Sequence, residues 1–497
     1  MMIFAMKKVP SGMVPMIAID RKVPQALHRQ IYDAYRTAIL DRRLRPGQRI
    51  PSTRSLAFEL GVSRFPVLNA YAQLLAEGYF ESRVGAGTVV SGSLPEQFTS
   101  SRPSSARLPA AASSTRPVSR RSSILSLERA PWLQGRGAFS VGQVAFDHFP
   151  LQVWSRLVAR HSRTMSARSF HYGDPMGSLA FRETIASYLR TARSLRCEAR
   201  QIMIVSGSQQ ALEISARVLL NAGDRVWIEE PGYRYARDVF ALAGCRLVPV
   251  PVDRDGLDVA AGIRQSRKAR AAFVTPSHQF PLGETMSASR RLQLLDWAHK
   301  ADAWVIEDDY DSEYRYESSP IASLHGLDSN SSVIYIGTLS KVLFPALRLG
   351  YVVIPSGLVD RFLVIRRAMD LGPPSFHQEV LADFISEGHF ARHIRRMRVL
   401  YHRRRSALVD SIGKELGSMV EVHGSEAGMH LTVTLPARSR DLEIAERAAR
   451  ERLWIWPLSP AYLGAVSRPG FILGFGGTQA EEIPPAVRRL RNLLAGK

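Results

Sequence analysis

The chain has 497 residues, 45% of them hydrophobic and 22% charged, which excludes global disorder and suffices for a large core. Its formal net charge is +21, from 66 Lys and Arg against 45 Asp and Glu. The two cysteines, Cys197 and Cys245, exclude a disulfide scaffold and a Cys-rich zinc site and fit a reducing compartment; no metal is expected. No apolar run approaches the roughly 18 residues of a membrane span. The opening MMIFAMKKVPSG has its basic pair after a short apolar run, the wrong order for a secretory signal. A cytoplasmic protein without a membrane partner is therefore expected.

The charge is concentrated at the front. Residues 1–130 hold 19 Lys and Arg against 8 Asp and Glu, a net of +11, and the other 367 residues share +10. A basic front on a more neutral body suggests a nucleic-acid module joined to something else. Three regions follow from the text of the sequence. Residues 20–92 are dense and periodic. Residues 93–129 are rich in Ser, Pro, Ala and Arg, with too few large apolar residues to offset their ordering entropy, and read as a flexible linker. In residues 130–497, strand-like runs (QIMIVSG, DRVWIEE, AAFVTP, AWVIEDD) alternate with helical patterns, which argues a mostly parallel α/β sheet.

In the front region, LHRQIYDAYRTAILDRR puts Leu27, Ile31, Ala34, Tyr35, Ala38 and Ile39 on one helical face. After the RPGQRIPS turn, Ser52 or Thr53 is placed to cap TRSLAFEL, and Gly61 ends that helix. A further helix from Ser63 would turn Val67, Ala70, Tyr71, Leu74 and Leu75 inward. YFESRVGAGTVV then gives two short strands around Gly85 and Gly87, a β-wing. Two short helices joined by a Gly turn form a unit whose second helix fits a major groove. The strings PSTRSLAFELGVSR, AYAQLLAEGYF and GAGTVV resemble the GntR family of bacterial transcription factors. The resemblance implies a winged helix-turn-helix that binds double-stranded DNA through Ser52, Arg54, Ser63, Arg64 and Tyr71, with Thr88 from the wing. Phe65-Pro66 stands where the family usually has a small polar residue, which removes one polar DNA contact.

In the large region, SGSQQAL (206–212) reads as a strand-to-helix turn whose amides and Ser208 hydroxyl suit a phosphate. EEPGYR (229–234) offers Tyr233 as a flat face. VIEDDYDSEYRY (305–316) sets acids just after a buried-looking strand. GTLSKVLFPALRLGY (337–351) sets Lys341 in a Ser/Thr-flanked turn, seven residues before Arg348. Together these motifs resemble the fold type I aminotransferases, which use pyridoxal 5'-phosphate. The resemblance implies Lys341 as the Schiff-base lysine, Asp308 on the pyridine nitrogen, Tyr310 on the phenolic oxygen and Tyr233 stacked on the ring. It gives the phosphate to Ser208, Gln209, Ser340 and Arg348, and adds Tyr172 of HYGDPMG from the neighbouring subunit. In TPSHQFPLG (275–283), Phe280 precedes Pro281 where the family usually has Asn, so a polar contact to the cofactor oxygen falls to His278 or Gln279.

The whole chain resembles the MocR subfamily of GntR-type regulators. The expected fold is multidomain: an N-terminal α+β winged helix-turn-helix and a C-terminal α/β aminotransferase-like domain. The resemblance implies a homodimer with exchanged front modules, bound to the nucleoid when on DNA, and a small-molecule effector, either pyridoxal phosphate or an amino compound. Whether the large domain senses or catalyses stays open. Aminotransferases of this fold often carry an arginine for the substrate carboxylate near a motif like FILGFGG; Ile472 stands there, and Arg468 is the tentative substitute. That loss favours a regulator, with an active aminotransferase as the alternative.

Overall fold

The computed structural model describes residues 17–21, 23–83, 87–92, 117, 119, 121–125, 129–316 and 322–495. Gly85 of the expected wing and most of the expected linker lie outside the described residues. The chain divides into two compact units, Met1–Arg116 and Pro117–Lys497.

In the first unit, helix α1 (Leu27–Leu40) buries Ile31, Tyr35, Ala38 and Ile39, the stripe its periodicity requires. Helix α2 (Thr53–Glu59) starts where Ser52 Oγ accepts the amide of Ser55 at 3.1 Å, and ends before Gly61, whose φ of +60° suits glycine. Helix α3 (Arg64–Ala76) carries Pro66 in its first turn, where no intrahelical donor is lost. It buries Val67, Ala70, Tyr71 and Leu74. Leu75, expected inward, is 37% exposed, because one residue past Leu74 turns about 100° around the helix. Strands β1 (Phe80–Arg83) and β2 (Gly87–Val90) pair antiparallel, Phe80 opposite Val90. Tyr35, Tyr71 and Phe80 meet edge-to-face at 5.3–5.7 Å and lock helices to hairpin.

The second unit is built on an eight-stranded mixed sheet. Its strands are β3 (Ile202–Val205), β4 (Arg225–Glu230), β5 (Arg246–Asp253), β6 (Gly256–Leu257), β7 (Ala271–Val274), β8 (Trp304–Asp309), β9 (Val333–Thr338) and β10 (Gly350–Val353). Their order is β3-β10-β9-β8-β7-β4-β5-β6. The run from β9 to β5 is parallel, whereas β10 is antiparallel to both β9 and β3. Alternate residues serve opposite faces: Val226, Ile228 and Phe273 pack in one core, and Trp227, Ala272 and Val274 in another. Trp227 stacks on Trp297 of the helix Ala288–Ala301 at 3.6 Å. A smaller antiparallel sheet, in the order β11-β12-β14-β13, combines β11 (Glu421–His423), β12 (His430–Thr434), β13 (Trp456–Pro457) and β14 (Gly470–Gly474). Among the described residues, no helix is long and apolar enough to cross a membrane.

Candidate functional site

Ligand sites of open α/β sheets form beyond the carboxyl ends of the parallel strands. Here β7, β8 and β9 deliver Thr275, Asp308–Tyr310 and Thr338–Lys341 to one end, beside the turn after β3 and the Tyr233 loop after β4. They enclose a cavity of about 280 Å³. Its walls bring together Ser208, Gln209, Tyr233, Asp308, Tyr310, Ser340, Lys341 and Arg348, from four separate stretches of sequence.

At one end of the cavity, Gly207 has φ +89° and caps the helix Ser208–Leu219, whose first-turn amides have no partners within the helix. A Cβ at Gly207 would sit 3.5 Å from the Arg348 guanidinium, which donates to Ser206 O at 2.9 Å. A helix N-terminus, a guanidinium and the Ser208 and Ser340 hydroxyls thus face one space. That set suits a phosphate dianion.

Asp308 also lines the cavity, 3% exposed, and its Oδ1 has no hydrogen-bond partner. Burial first, then the neighbouring Asp309, Asp311 and Glu229, push its carboxyl up to about 7. Lys341 is also desolvated, which lowers the pKa of its amine; Asp311 and Asp308 oppose that shift. Its Nζ donates to Gly142 O at 3.4 Å, and a Cβ at Gly142 (φ +77°) would come within 2.4 Å of that nitrogen. The charged cluster after β8 is not a solvated loop, since Asp308, Asp309 and Asp311 are all buried. Arg193 holds Asp309 at 2.6 Å, and the Tyr335 hydroxyl donates to the same carboxylate at 2.5 Å.

Several expected residues are placed elsewhere. His278 does not line the cavity; it stands behind Tyr310, whose hydroxyl donates to His278 O at 2.9 Å and lies 3.1 Å from Nδ1. The Asp311 carboxylate holds the same Nδ1 at 3.1 Å. Gln279 donates to Glu229, Pro231 O and Phe280 O, so its amide is spent on the loop. Arg468, the tentative carboxylate ligand, is an exposed partner of Glu421 at 3.3 Å and is absent from the cavity wall. Ile472 pairs with Thr432 and Trp456 and packs in an apolar cluster with Leu458 and Ala461. Tyr172 is 88% exposed and outside the cavity. Reading along the chain missed Gly142, Thr275, Met429, His430 and Trp456, which also line it. They are single residues from distant elements and carry no local motif.

In the first unit, Ser52, Arg54, Ser63 and Arg64 are on the surface around the start of α2 and α3. Arg64 Nε donates to Thr53 Oγ1 at 3.0 Å, which fixes the arginine beside the α3 N-terminus. Thr88 is half-buried on β2. Phe65 is 70% exposed, so a ring is presented where a small polar residue was usual. Tyr71 does not fit a DNA contact: it is 3% exposed, and its hydroxyl donates to Pro51 O at 2.9 Å, anchoring the segment before α2.

Comparison with known proteins matches both units. Residues 27–90 match the family model of bacterial regulatory proteins of the gntR family, and residues 138–490 match aminotransferase class I and II. A probable rhizopine catabolism regulatory protein, MocR, of Rhizobium meliloti is 39% identical over 96% of this chain and 95% of its own length. The HTH-type pyridoxine biosynthesis transcriptional regulator PdxR of Corynebacterium glutamicum is 30% identical over 93% and 94%. Among solved structures, a kynurenine aminotransferase from Pyrococcus horikoshii superposes with a TM-score of 0.71 at 26% identity, covering 76% of this chain and 97% of that one. With relatives aligned end to end and both units matched in order, the chain belongs to the MocR-type HTH transcriptional regulators, in which a gntR-type DNA-binding domain is joined to a class I and II aminotransferase domain.

Proposed function

We propose that this regulator binds pyridoxal 5'-phosphate in the cavity of its large domain and controls operator binding through that site. The observation that carries the reading is Asp308: a buried carboxylate oxygen without a partner, facing the cavity that Lys341 also enters. An unpaired buried carboxylate is costly, and a protonated ring nitrogen is the cation that would offset the cost. The rest of the wall fits the same group. Arg348, Ser208, Gln209 and Ser340 would take the phosphate, Tyr233 would face the ring, and Tyr310 would turn its one hydroxyl proton from His278 O to the phenolic oxygen. His278 stands at one remove, its carbonyl and Nδ1 beside the Tyr310 hydroxyl.

Bound there, pyridoxal phosphate supplies an aldehyde for a primary amine and an electron-withdrawing ring. Lys341 is suited to meet it, since burial favours the neutral, nucleophilic form of its amine. The exposed Tyr172 fits a role at the phosphate of a partner subunit in a homodimer with exchanged front modules. DNA contact would come from Ser52, Arg54, Ser63, Arg64 and Thr88.

The purified protein should absorb above roughly 400 nm, and Lys341→Ala should remove that band while leaving the chain folded. Borohydride fixation followed by peptide mapping should label Lys341, and cofactor should change operator affinity. Label on another lysine would refute the site, and unchanged DNA binding would refute the control. The second reading, an active aminotransferase, is favoured by the same desolvated amine; fast multiple turnover with a common amino acid would select it.

A further inference from the structure

The cavity has more wall than the residues assigned to the cofactor. Its remaining surface includes the apolar and aromatic side chains of Val141, Tyr235, Phe280, Met429 and Trp456, with the hydroxyls of Thr275 and Thr338 and two titratable groups, His430 and Asp311. Among the described residues, the cavity wall contains two strongly basic side chains, Lys341 and Arg348, and both are already assigned to the cofactor. The others do not favour an anion. Asp311 is a buried acid, and burial together with the nearby His278 drives His430 well below the ordinary histidine range, so its ring is neutral. His430 Nε2 lies 3.2 Å from Pro281 O, and its ring stands 5.4 Å from that of Phe280.

The adjoining cleft shares Tyr233, Tyr235, Phe280 and Trp456 with this cavity and extends to Ile472. Ile472 is 2% exposed and packed among Leu458, Ala461 and Trp456. A carboxylate brought against Ile472 itself would lose its water and meet hydrocarbon. Arg234 borders the cleft, not the cavity that holds Lys341.

We propose that the small molecule recognised here is a primary amine without a carboxylate, with an uncharged body held between Phe280, Trp456 and Met429. His430 supplies a neutral polar contact at its edge. The proposal rests on the cofactor reading above, and the two fail in different ways. The amine has the group needed to exchange with Lys341 at the cofactor carbon, the lysine leaving as a free amine, and the wall offers no cation beyond those given to the cofactor for the carboxylate that would mark an α-amino acid.

The test uses the full-length protein loaded with pyridoxal phosphate, and compares compounds that differ only in the carboxylate. 2-Phenylethylamine is titrated against L-phenylalanine, and butylamine against L-norvaline, following the cofactor absorbance and the heat of binding. Each amine should bind at least tenfold more tightly than its amino acid. Ile472→Arg, which places a guanidinium in the cleft, should lower that ratio at least tenfold. The wild-type comparison stands by itself if that variant does not fold. Equal or tighter binding of the amino acids to wild type, or no binding of any amine, would overturn the proposal. If L-phenylalanine binds and Arg234→Ala abolishes its binding, the carboxylate has a partner and the proposal is likewise wrong. A protein that never acquires the cofactor absorbance would refute the cofactor reading instead.

Discussion

Replacing Asp308 by Asn tests the electrostatics of the cavity directly. A carboxyl held at about 7 instead of its ordinary 3.8 costs about 4 kcal/mol to ionise in place, at about 1.4 kcal/mol per decade of acidity. The sign follows from proton counting. Above pH 3.8 the folded cofactor-free protein holds a proton that the unfolded chain has released, so stability falls as pH rises through the window from 3.8 to about 7. Above that window the penalty is complete. Asp308→Asn removes the titrating group with little change in shape, so the cofactor-free variant should be more stable than wild type at pH 8, by up to about 4 kcal/mol. The gain should shrink steadily towards pH 4. Pyridoxal phosphate should invert the order, stabilising wild type more than the variant, because Asn cannot pair with a ring cation. Thermal and urea unfolding at pH 5, 6.5 and 8, with and without cofactor, would show both effects. A variant no more stable than wild type at pH 8, or a gain independent of pH, would refute the account of Asp308.

In the DNA-binding unit, Arg64→Ala should weaken operator binding by about 1–3 kcal/mol if the guanidinium reads a base edge, in gel shifts at fixed salt. Tyr71→Phe should instead cost about 1–3 kcal/mol of stability, through the lost bond to Pro51 O and the buried Tyr35 hydroxyl left without its partner, and leave the affinity of folded protein unchanged. A heterodimer of Tyr172→Phe and Lys341→Ala chains should regain one intact cofactor site; equal cofactor affinity in wild type and the Tyr172→Phe homodimer would count against sharing of the site between subunits.

The parts of the site that can be read from sequence are those whose chemistry is local. SGSQQ, EDDYDSEYRY and GTLSK each supply a turn or strand end whose residues act within a few positions of one another, and the structure brings all three to one cavity. His430, Met429 and Trp456 reach it only because the small sheet is placed there by packing over long separations, which no spacing rule encodes. Tyr71 shows two signals in conflict. Helical periodicity put it inside and the family likeness put it on DNA, and the structure follows periodicity. His278 and Gln279 sit at the expected place along the chain, but the loop folds so that one supports Tyr310 and the other holds the backbone. Arg468 lies only four residues from Ile472, yet the loop before β14 turns it to solvent and to Glu421.

The hydrogen bond from Lys341 to Gly142 links the cavity's buried amine to the chain's own path. Phe139, three residues earlier, bridges to Gly474 at the end of β14, so the stretch from Phe139 to Gly142 is pinned to the small sheet at one end and to the lysine at the other. That stretch begins about ten residues after the segment that joins the large unit to the DNA-binding unit. In the proposed complex an amine engaged with a ligand would no longer donate to Gly142 O, and the stretch would keep its fastenings at Phe139, to Gly474 and Thr478. A cofactor bound as proposed would thereby remove one of the contacts that hold the first residues of the large domain.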